Sequence, residues 1–177
     1  ELLALVRSLA PDDITSMIVD LGAKSTNIAI SKQGELVFSR SISVGGEAFT
    51  RAISKFFGIE AMQAEEYKRT YGMSSNKLQG RVRQALEPVF SSVADEIKKS
   101  IYYYQSEENG EIPKSVIISG GTSALPEVSL SLTKLLGVEV VSGNPFSKVI
   151  LDSSVIKSIS GFAPFYSIAV GLAMNDA

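Results

Sequence analysis

The sequence predicts an α/β fold in which helices flank a mixed sheet. Three strand-like segments follow one another within residues 16–44, joined by short glycine-containing turns, and such a run predicts an antiparallel meander. Two later strand-like segments are separated by helical patterns, and helix-connected strands are expected to complete the same sheet. Hydrophobic residues make up 45% of the 177-residue chain, which is ordinary for a globular domain.

The strands are predicted from short apolar or alternating runs. Residues 16–21 form an apolar run that contains Asp20, as in a buried strand. Residues 26–31 place Ile28 and Ile30 on one face, and residues 36–44 alternate until Gly45 and Gly46 break the pattern. Later strands are predicted over residues 115–119 and 138–141.

The helices are predicted from apolar residues spaced three and four apart. They cover residues 2–9, 47–57, 61–71, 75–107, 120–136 and 164–174. Pro88 is expected to kink or split the long fourth helix, because proline lacks the amide proton that the helix uses. The last helix has an apolar stripe, expected to face inward, at Phe165, Ile168, Ala169, Leu172 and Ala173. Phe162, Phe165 and Tyr166 are all expected in the core.

The composition excludes several kinds of chemistry. The chain has no Cys and no His, so disulfides, thiol nucleophiles and the commonest general base are absent. Its net charge of −2 offers no field for nucleic acid, and we expect no nucleic-acid partner. The apolar start reaches Pro11 too soon to cross a bilayer, so we expect a cytoplasmic protein without direct membrane insertion. Because residue 1 is Glu rather than Met, we expect a piece of a longer protein.

The turn after the first strand is a candidate phosphate site. Asp20 at the end of a buried strand needs a partner for its charge, and a hydrated Mg²⁺ is one such partner. Gly22 lets the backbone bend so that amides can face phosphate oxygens, and Ser25 and Thr26 add hydroxyl donors. Taken alone, the same residues fit better with a hairpin turn in which Asp20 caps its own backbone.

Two further segments have both a functional and a structural interpretation. Gly120, Gly121 and Thr122 follow an apolar strand and start a helix, where exposed amides favour an anion. The alternative is a plain strand-to-helix turn with Thr122 as the N-cap. Glu65 and Lys68 lie three residues apart on one helical face and could grip two vicinal hydroxyls. By themselves they are more typical of a solvated charged face.

The order and spacing of these segments resemble the second half of the superfamily of actin, heat-shock chaperones and sugar kinases. Within it the chain is most similar to the PilM family, found at the cytoplasmic base of type IV pilus machines, with FtsA next and MreB further off. The likeness covers nearly the whole chain and is carried by residues 18–23, 44–50, 64–68, 118–122 and 168–173.

This resemblance implies a fold and a division of the chain. The fold would be the second lobe of the actin-like ATPase fold, with a ribonuclease H-like mixed sheet and a small helical insertion. Residues 1–12 would be the remnant helix of a missing first lobe. Residues 13–58 and 111–177 would form the core subdomain, and residues 59–110 the inserted, mainly helical subdomain.

The resemblance also implies roles for single residues. Asp20 would orient water around Mg²⁺, and Gly22, Ser25 and Thr26 would lie near the β- and γ-phosphates of ATP. Glu65 and Lys68 would hold the ribose. The adenine and α-phosphate side would be lined by Gly120, Gly121 and Thr122. The chain departs from many relatives in having Ala23 and Lys24 where they have glycines, and Asn27 where they have a second Asp. We therefore expect ATP binding in the full protein, with weak or absent hydrolysis.

The implied function is ATP-controlled partner docking in pilus assembly. The implied partners are a PilN-like inner-membrane protein, whose tail would dock on the missing first lobe, and other platform proteins that would hold the chain at the inner face of the cytoplasmic membrane. Self-association is compatible with an apolar face left uncovered by that lobe. The alternatives are a filament-forming protein like FtsA or MreB, and a kinase of the same superfamily.

Overall fold

The computed structural model describes residues 1–106, 110–152, 155 and 159–176. Its centre is a five-stranded sheet in the order β3-β2-β1-β4-β5. The strands are β1 (Ser16–Leu21), β2 (Thr26–Lys32), β3 (Glu35–Ile42), β4 (Ser115–Ser119) and β5 (Glu139–Ser142). The first three pair antiparallel, whereas β4 pairs parallel with β1 and β5 parallel with β4. The predicted meander and mixed sheet are therefore confirmed.

Helices cover both faces of this sheet. They are α1 (Leu2–Leu9), α2 (Gly46–Phe57), α3 (Ala61–Tyr71), α4 (Arg81–Ser106), α5 (Val128–Leu136) and α6 (Ser167–Ala173). Within the described part of the chain, no helix combines the length and the apolarity needed to cross a bilayer.

Two hydrophobic clusters lie on opposite faces of β1. Met17 and Val19 join the larger cluster, to which α2, α4 and α5 contribute. Ile18 joins the smaller one, together with Leu5 and Val6 of α1. A central strand covered on both faces is apolar at nearly every position, and this makes Asp20 exceptional in β1. The division of the chain at residues 58 and 111 stays a prediction. Helix α4 lies between these two boundaries and packs in the same hydrophobic cluster as the sheet.

Three helical predictions need correction. The fourth helix begins at Arg81 rather than residue 75 and continues through Pro88 without a break. Its buried residues on both sides of Pro88, Leu86 and Phe90, pack into the core and offset the one missing hydrogen bond. The predicted end at residue 107 lies outside the described residues.

The helix predicted over residues 120–136 is divided in two. A 3₁₀ turn covers Gly121–Ala124, and α5 starts only at Val128. Pro126 explains the gap, because the residue before a proline is pushed out of the helical region, and Leu125 has an extended ψ of 145°.

The final helix was also predicted too long. A 3₁₀ segment covers Ser160–Tyr166, and α6 begins at Ser167. The side of α6 that is buried contains the small residues Ser167 and Gly171, which allow close packing on α1. As a result the predicted inward stripe is largely exposed, with Leu172 57% accessible.

Candidate functional site

Three glycine-containing turns lie at one edge of the sheet. Strands β1, β3 and β4 run in the same direction, because β1 and β3 are both antiparallel to β2 and β4 is parallel to β1. Their carboxyl ends lead into residues 22–25, into Gly45 and Gly46, and into Gly120 and Gly121. This edge of an open α/β sheet is where ligands usually bind.

The turn between β1 and β2 is held by the start of α2. The Gly46 amide donates to the Gly22 carbonyl at 2.9 Å, and the Glu47 amide donates to the Ala23 carbonyl at 2.8 Å. The first amides of α2 are therefore not free for a ligand. Within the described chain, the amides of Ala23, Lys24 and Ser25 donate to no protein acceptor. Successive turn amides that have no protein acceptor are able to donate to an anion.

Gly46, the first residue of α2, brings two of these turns into contact. A Cβ added to Gly46 would lie 2.9 Å from Thr122 Oγ1 and 3.4 Å from Lys68 Nζ. The Thr122 hydroxyl donates to the Gly22 carbonyl at 3.4 Å. The N-cap interpretation of Thr122 is therefore wrong, since its hydroxyl joins two walls of the site instead. No role for Gly46 was predicted from the sequence. The two adjacent glycines, Gly45 and Gly46, are the sequence feature that could have indicated one.

Gly120 occupies a position that a larger residue could not. Its φ of +82° is left-handed, and an added Cβ would lie 2.7 Å from the Leu21 carbonyl oxygen and 2.9 Å from Asp20 Oδ1. The Gly-Gly turn therefore passes directly over the end of β1.

Asp20 lies beneath this edge and is 5% accessible. Burial raises the pKa of its carboxyl group, the nearby Ser119 side chain opposes that rise, and the charge of Glu1 adds to it. Thr26 is also buried, and its hydroxyl donates to the Val44 carbonyl at 2.8 Å. Thr26 thus holds the turn in place through its hydroxyl. Among the described hydrogen bonds, none joins the Asp20 carboxylate to a backbone amide of its own turn, as the hairpin-cap interpretation would require.

Glu65 and Lys68 of α3 form a network with α2. Lys68 Nζ donates to the Gly46 carbonyl at 3.0 Å, to Thr50 Oγ1 at 2.9 Å and to Glu65 Oε2 at 2.6 Å. An ammonium has three donors, so all of those of Lys68 are used. The solvated-face interpretation is wrong for Lys68, whose side chain is only 8% exposed.

The carboxylate of Glu65 retains one acceptor position. Its Oε2 also accepts from Thr50 at 2.5 Å, and its Oε1 accepts from Arg69 Nε at 2.9 Å. Burial alone would raise the pKa of Glu65, but the hydrogen bonds from Lys68, Thr50 and Arg69 lower it to about 2. Glu65 is therefore a carboxylate at neutral pH.

These walls enclose a cleft of about 690 Å³. Of the predicted site residues, it is lined by Gly22, Glu65, Lys68, Gly121 and Thr122, and not by Asp20, Ser25, Thr26 or Gly120. It is also lined by residues given no role in advance, among them Ala23, Gly46, Glu47, Arg69, Phe162 and Phe165. The two phenylalanines were expected in the core, but they are 60% and 52% exposed and Tyr166 is 44% exposed, so that prediction is wrong.

Asp20 is the residue of the predicted site that could take part in holding a magnesium ion. The described part of the chain contains no group of three or more acidic side chains arranged for a metal. Mg²⁺ commonly keeps several waters and takes one or two carboxylates together with phosphate oxygens. Asp20, buried at the end of β1, fits a role through water better than direct coordination of a bare ion.

Comparison with known proteins identifies the family. The family model described as type IV pilus assembly protein PilM matches residues 3–177. A solved PilM-PilN type IV pilus biogenesis complex superposes with a TM-score of 0.80 at 27% identity, covering 97% of this chain and 50% of that one. FtsA, the cell division protein of Pseudomonas aeruginosa, is 27% identical over an alignment that covers 89% of this chain and 41% of FtsA.

A more distant likeness confirms the fold. MreB5 of Spiroplasma citri, solved bound to AMPPNP, superposes with a TM-score of 0.73 at 17% identity, covering 98% of this chain and 56% of MreB5. The chain thus spans about half the length of these proteins. Its mixed sheet and flanking helices are those of the actin-like ATPase fold, and the match to the family model over nearly all residues shows that the chain belongs to the PilM family of type IV pilus assembly proteins.

Proposed function

We propose that this chain forms one side of an ATP site in a type IV pilus assembly protein. The observation that carries the proposal is the set of three amides without acceptors at residues 23–25, next to a cleft whose walls are already joined through the Gly22 carbonyl. Amides that the fold already holds in a turn reduce the ordering cost of binding anionic oxygens. MreB5, which has the same fold, was solved with AMPPNP bound.

The phosphates occupy the turn after β1 in this proposal. Gly22 and Ser25 lie next to the β- and γ-phosphates, and Thr26 keeps the turn in shape through its bond to the Val44 carbonyl. Asp20 orients a water of the Mg²⁺ that the phosphates bring. Gly120, Gly121 and Thr122 line the α-phosphate and adenine side.

The ribose lies against α3. Glu65 accepts a ribose hydroxyl at its remaining acceptor position, since Oε1 has only Arg69 as a described partner. Lys68 contributes by holding Glu65 in place, because a bond from Lys68 to the ribose would require it to release one of its three protein acceptors. Glu65 therefore contacts the ribose, and Lys68 keeps Glu65 in position.

A second lobe supplies the rest of the site. We propose that residues 13–58 and 111–177 form the core subdomain, that residues 59–110 are the helical insertion, and that α1, which packs on β1 and α6, connects this lobe to the other. ATP between two lobes then biases their closure, and partner docking responds to that state. A cleft with one lobe provides half the contacts, so affinity depends on the full protein.

Titration calorimetry of Mg-ATP against the full-length protein tests this proposal. We expect saturable binding that Asp20→Ala abolishes, because the Mg²⁺ water loses its acceptor. Asp95→Ala, which removes an exposed acidic side chain on α4, is the matched control and should bind like the unaltered protein. The absence of binding to the unaltered protein would contradict the proposed ATP site.

The partner of this protein is proposed to be a PilN-like tail at the cytoplasmic face of the membrane. The solved relative is a PilM-PilN complex, and the tail is expected on the lobe outside this chain. If ATP controls docking, the affinity of the tail peptide for the full-length protein must differ between ATP-bound and ATP-free states. Fluorescence anisotropy of a labelled tail, with and without Mg-ATP, measures this difference, and equal affinities would rule out the control.

A second candidate function is filament formation. It is the alternative that the resemblance to FtsA and MreB implies. Sedimentation of the full-length protein with and without Mg-ATP separates the two candidates. Pelleting that depends on ATP supports filaments, whereas a soluble protein under both conditions supports the docking function.

A further inference from the structure

The end of α2 meets the start of α4 at two phenylalanine rings. Phe56 and Phe57 lie edge to face, with ring centroids 5.0 Å apart. The Arg81 guanidinium lies over both rings, 5.1 Å from the Phe57 centroid and 6.0 Å from that of Phe56. A guanidinium that stacks on an aromatic face keeps N–H donors along its edge for a carboxylate. Because Phe56 is still 41% accessible, this stack places an open aromatic surface beside a cation.

A strained turn directly before Arg81 exposes a leucine. Leu78 and Gln79 have φ of +47° and +55°, and the following Gly80 has a φ of +72°. Left-handed backbone is unfavourable for residues with a Cβ, and such strained positions are concentrated in functional segments. Leu78 is 41% accessible, and its Cα lies within about 11 Å of that of Arg81 because Arg81 is three positions further along the chain. The turn thus adds a second apolar side chain to the surroundings of Arg81.

Cations without acidic partners flank these two apolar side chains. Residues 51–83 contain seven Lys and Arg but three Asp and Glu, whereas the whole chain has a net charge of −2. Lys55 and Lys77 each directly precede one of the apolar residues, and both are exposed, as is Arg81. Among the ion pairs of the described residues, none involves Lys55, Lys77 or Arg81. The segment is therefore locally positive, and its cations are available to carboxylates from another molecule.

We propose that Lys55, Phe56, Lys77, Leu78 and Arg81 form a basic–apolar surface that docks an acidic segment of a partner protein. An apolar side chain of that segment covers the Phe56 ring and Leu78, and neighbouring carboxylates pair with the three cations. Arg81 makes the most specific contact, because the edge of a guanidinium binds a carboxylate through two parallel hydrogen bonds. The proposal is independent of the ATP site and gives this lobe a partner of its own, whereas the PilN-like tail is expected on the other lobe.

The packing of Phe56 favours a protein segment over a lipid surface. A side chain that enters a bilayer has to extend beyond its neighbours, but the Phe56 ring packs against Phe57 and is overlaid by Arg81. Phe56 and Leu78 are each more than half covered, so they suit a side chain that is brought to them. Exposed ion pairs contribute little one by one, and the apolar contact is therefore needed for docking.

Fluorescence anisotropy of the full-length protein with a labelled peptide that alternates Glu and Leu tests the basic–apolar surface. We expect saturable binding that salt weakens, and no binding of matched peptides in which Gln replaces Glu or Ser replaces Leu. Lys55→Gln combined with Lys77→Gln should weaken binding about fivefold, the scale of two exposed ion pairs. Lys134→Gln, which removes an exposed cation on α5, is the matched control and should bind like the unaltered protein.

Leu78→Gly separates docking from folding. Glycine has no Cβ, so this variant relieves the left-handed strain while it removes the apolar side chain. We expect the affinity for the Glu-Leu peptide to fall about tenfold, as when an anchor side chain is truncated. The midpoint of thermal unfolding should not fall. Leu130→Ala on α5, where the leucine is 50% accessible, is the apolar control and should leave the peptide affinity unchanged.

Several outcomes would overturn the basic–apolar surface. An unchanged peptide affinity in Leu78→Gly, or equal binding of the Glu and Gln peptides, would show that its apolar or its charged residues select nothing. Binding to vesicles of phosphatidylglycerol and phosphatidylcholine that the double lysine variant loses, without binding of the Glu-Leu peptide, would assign the surface to a membrane. Self-association in analytical ultracentrifugation that the same variant abolishes would assign it to a second copy of this chain.

Discussion

Lys68 Nζ lies 2.6 Å from Glu65 Oε2, one helical turn away on α3. The same ammonium reaches the Gly46 carbonyl at the start of α2, so one cation connects the charged helix to the glycine pair at the cleft. The Glu65–Lys68 ion pair therefore connects α3 to α2. Its spacing of three residues predicts the ion pair, but it does not predict the hydrogen bond to Gly46.

Removing the Lys68 ammonium should destabilise the fold. Lys68→Met keeps the length of the side chain but leaves Glu65, Thr50 and the Gly46 carbonyl without their shared donor. Partly buried acceptors that lose a charged partner cost about 2 kcal/mol in the free energy of unfolding. Urea denaturation of the full-length protein measures the change, with Lys98→Met on the exposed face of α4 as the control. Equal stability of both variants would show that the hydrogen bonds of Lys68 contribute nothing to the free energy of unfolding.

The low pKa of Glu65 makes stability depend on pH in an acidic window. The pKa is lowered from 4.5 to about 2 in the folded protein, so the folded state favours the carboxylate. The resulting stabilisation is fully present above about pH 4.5 and is lost as the pH falls toward 2. Glu65→Gln should flatten the pH profile of the free energy of unfolding within this window.

Glu66→Gln is the matched control for that measurement. Glu66 is the exposed neighbour on α3 and takes part in none of the described side-chain hydrogen bonds. Its variant should reproduce the unaltered profile. A profile of Glu65→Gln that falls as steeply as that of the control between pH 4.5 and 2 would contradict the assignment.

The sheet was predictable from the sequence because its signals are local. The continuous apolar run of β1 and the alternation in β3 each follow from strand geometry, and the glycines after β1 and β4 mark the turns at the site. What sequence spacing could not provide is contact between distant segments. The Thr122 hydroxyl reaches the Gly22 carbonyl across 100 positions of chain, and no local pattern predicts such a bond.

The orientation of the last aromatic residues was mispredicted for a related reason. Large apolar side chains are buried by default, and nothing in residues 162–166 contradicts that default locally. The deciding contact is the anchoring of the Pro164 carbonyl by Ser119 and Gly120, which turns Phe162 and Phe165 outward. When a contact with a distant segment turns an apolar side chain outward, the sequence alone does not distinguish that residue from a core residue.

Asp20→Asn should increase stability while abolishing Mg-ATP binding. Burial raises the pKa of Asp20 above 3.8, so the fold favours the protonated acid, and that stabilisation is lost as the pH rises through the folded-state pKa. At neutral pH the ionised carboxylate is a cost that a neutral amide removes. Such a trade of stability for function is typical of binding sites.

Thermal denaturation and calorimetry of the same Asp20→Asn protein check this prediction. We expect a higher midpoint at pH 7 together with lost ATP binding, and no gain at pH 3, where the carboxyl is protonated in both states. A lower midpoint at pH 7 would mean that the ionised carboxylate is stabilised by contacts that outweigh its burial.

Gly171 should not tolerate a side chain, because α6 crosses α1 there. A Cβ at Gly171 would lie 1.8 Å from the carbonyl oxygen of Ala4, and Arg7 Nη1 donates to the Gly171 carbonyl at 3.3 Å beside it. Gly171→Ala must separate the two helices, and overpacking of this kind costs about 3 kcal/mol. Gly161→Ala, where an added Cβ meets nothing within 4 Å, is the matched control. Urea denaturation should show a large loss for the first variant and almost none for the second, and a native-like midpoint for Gly171→Ala would mean that α1 and α6 can move apart at little cost.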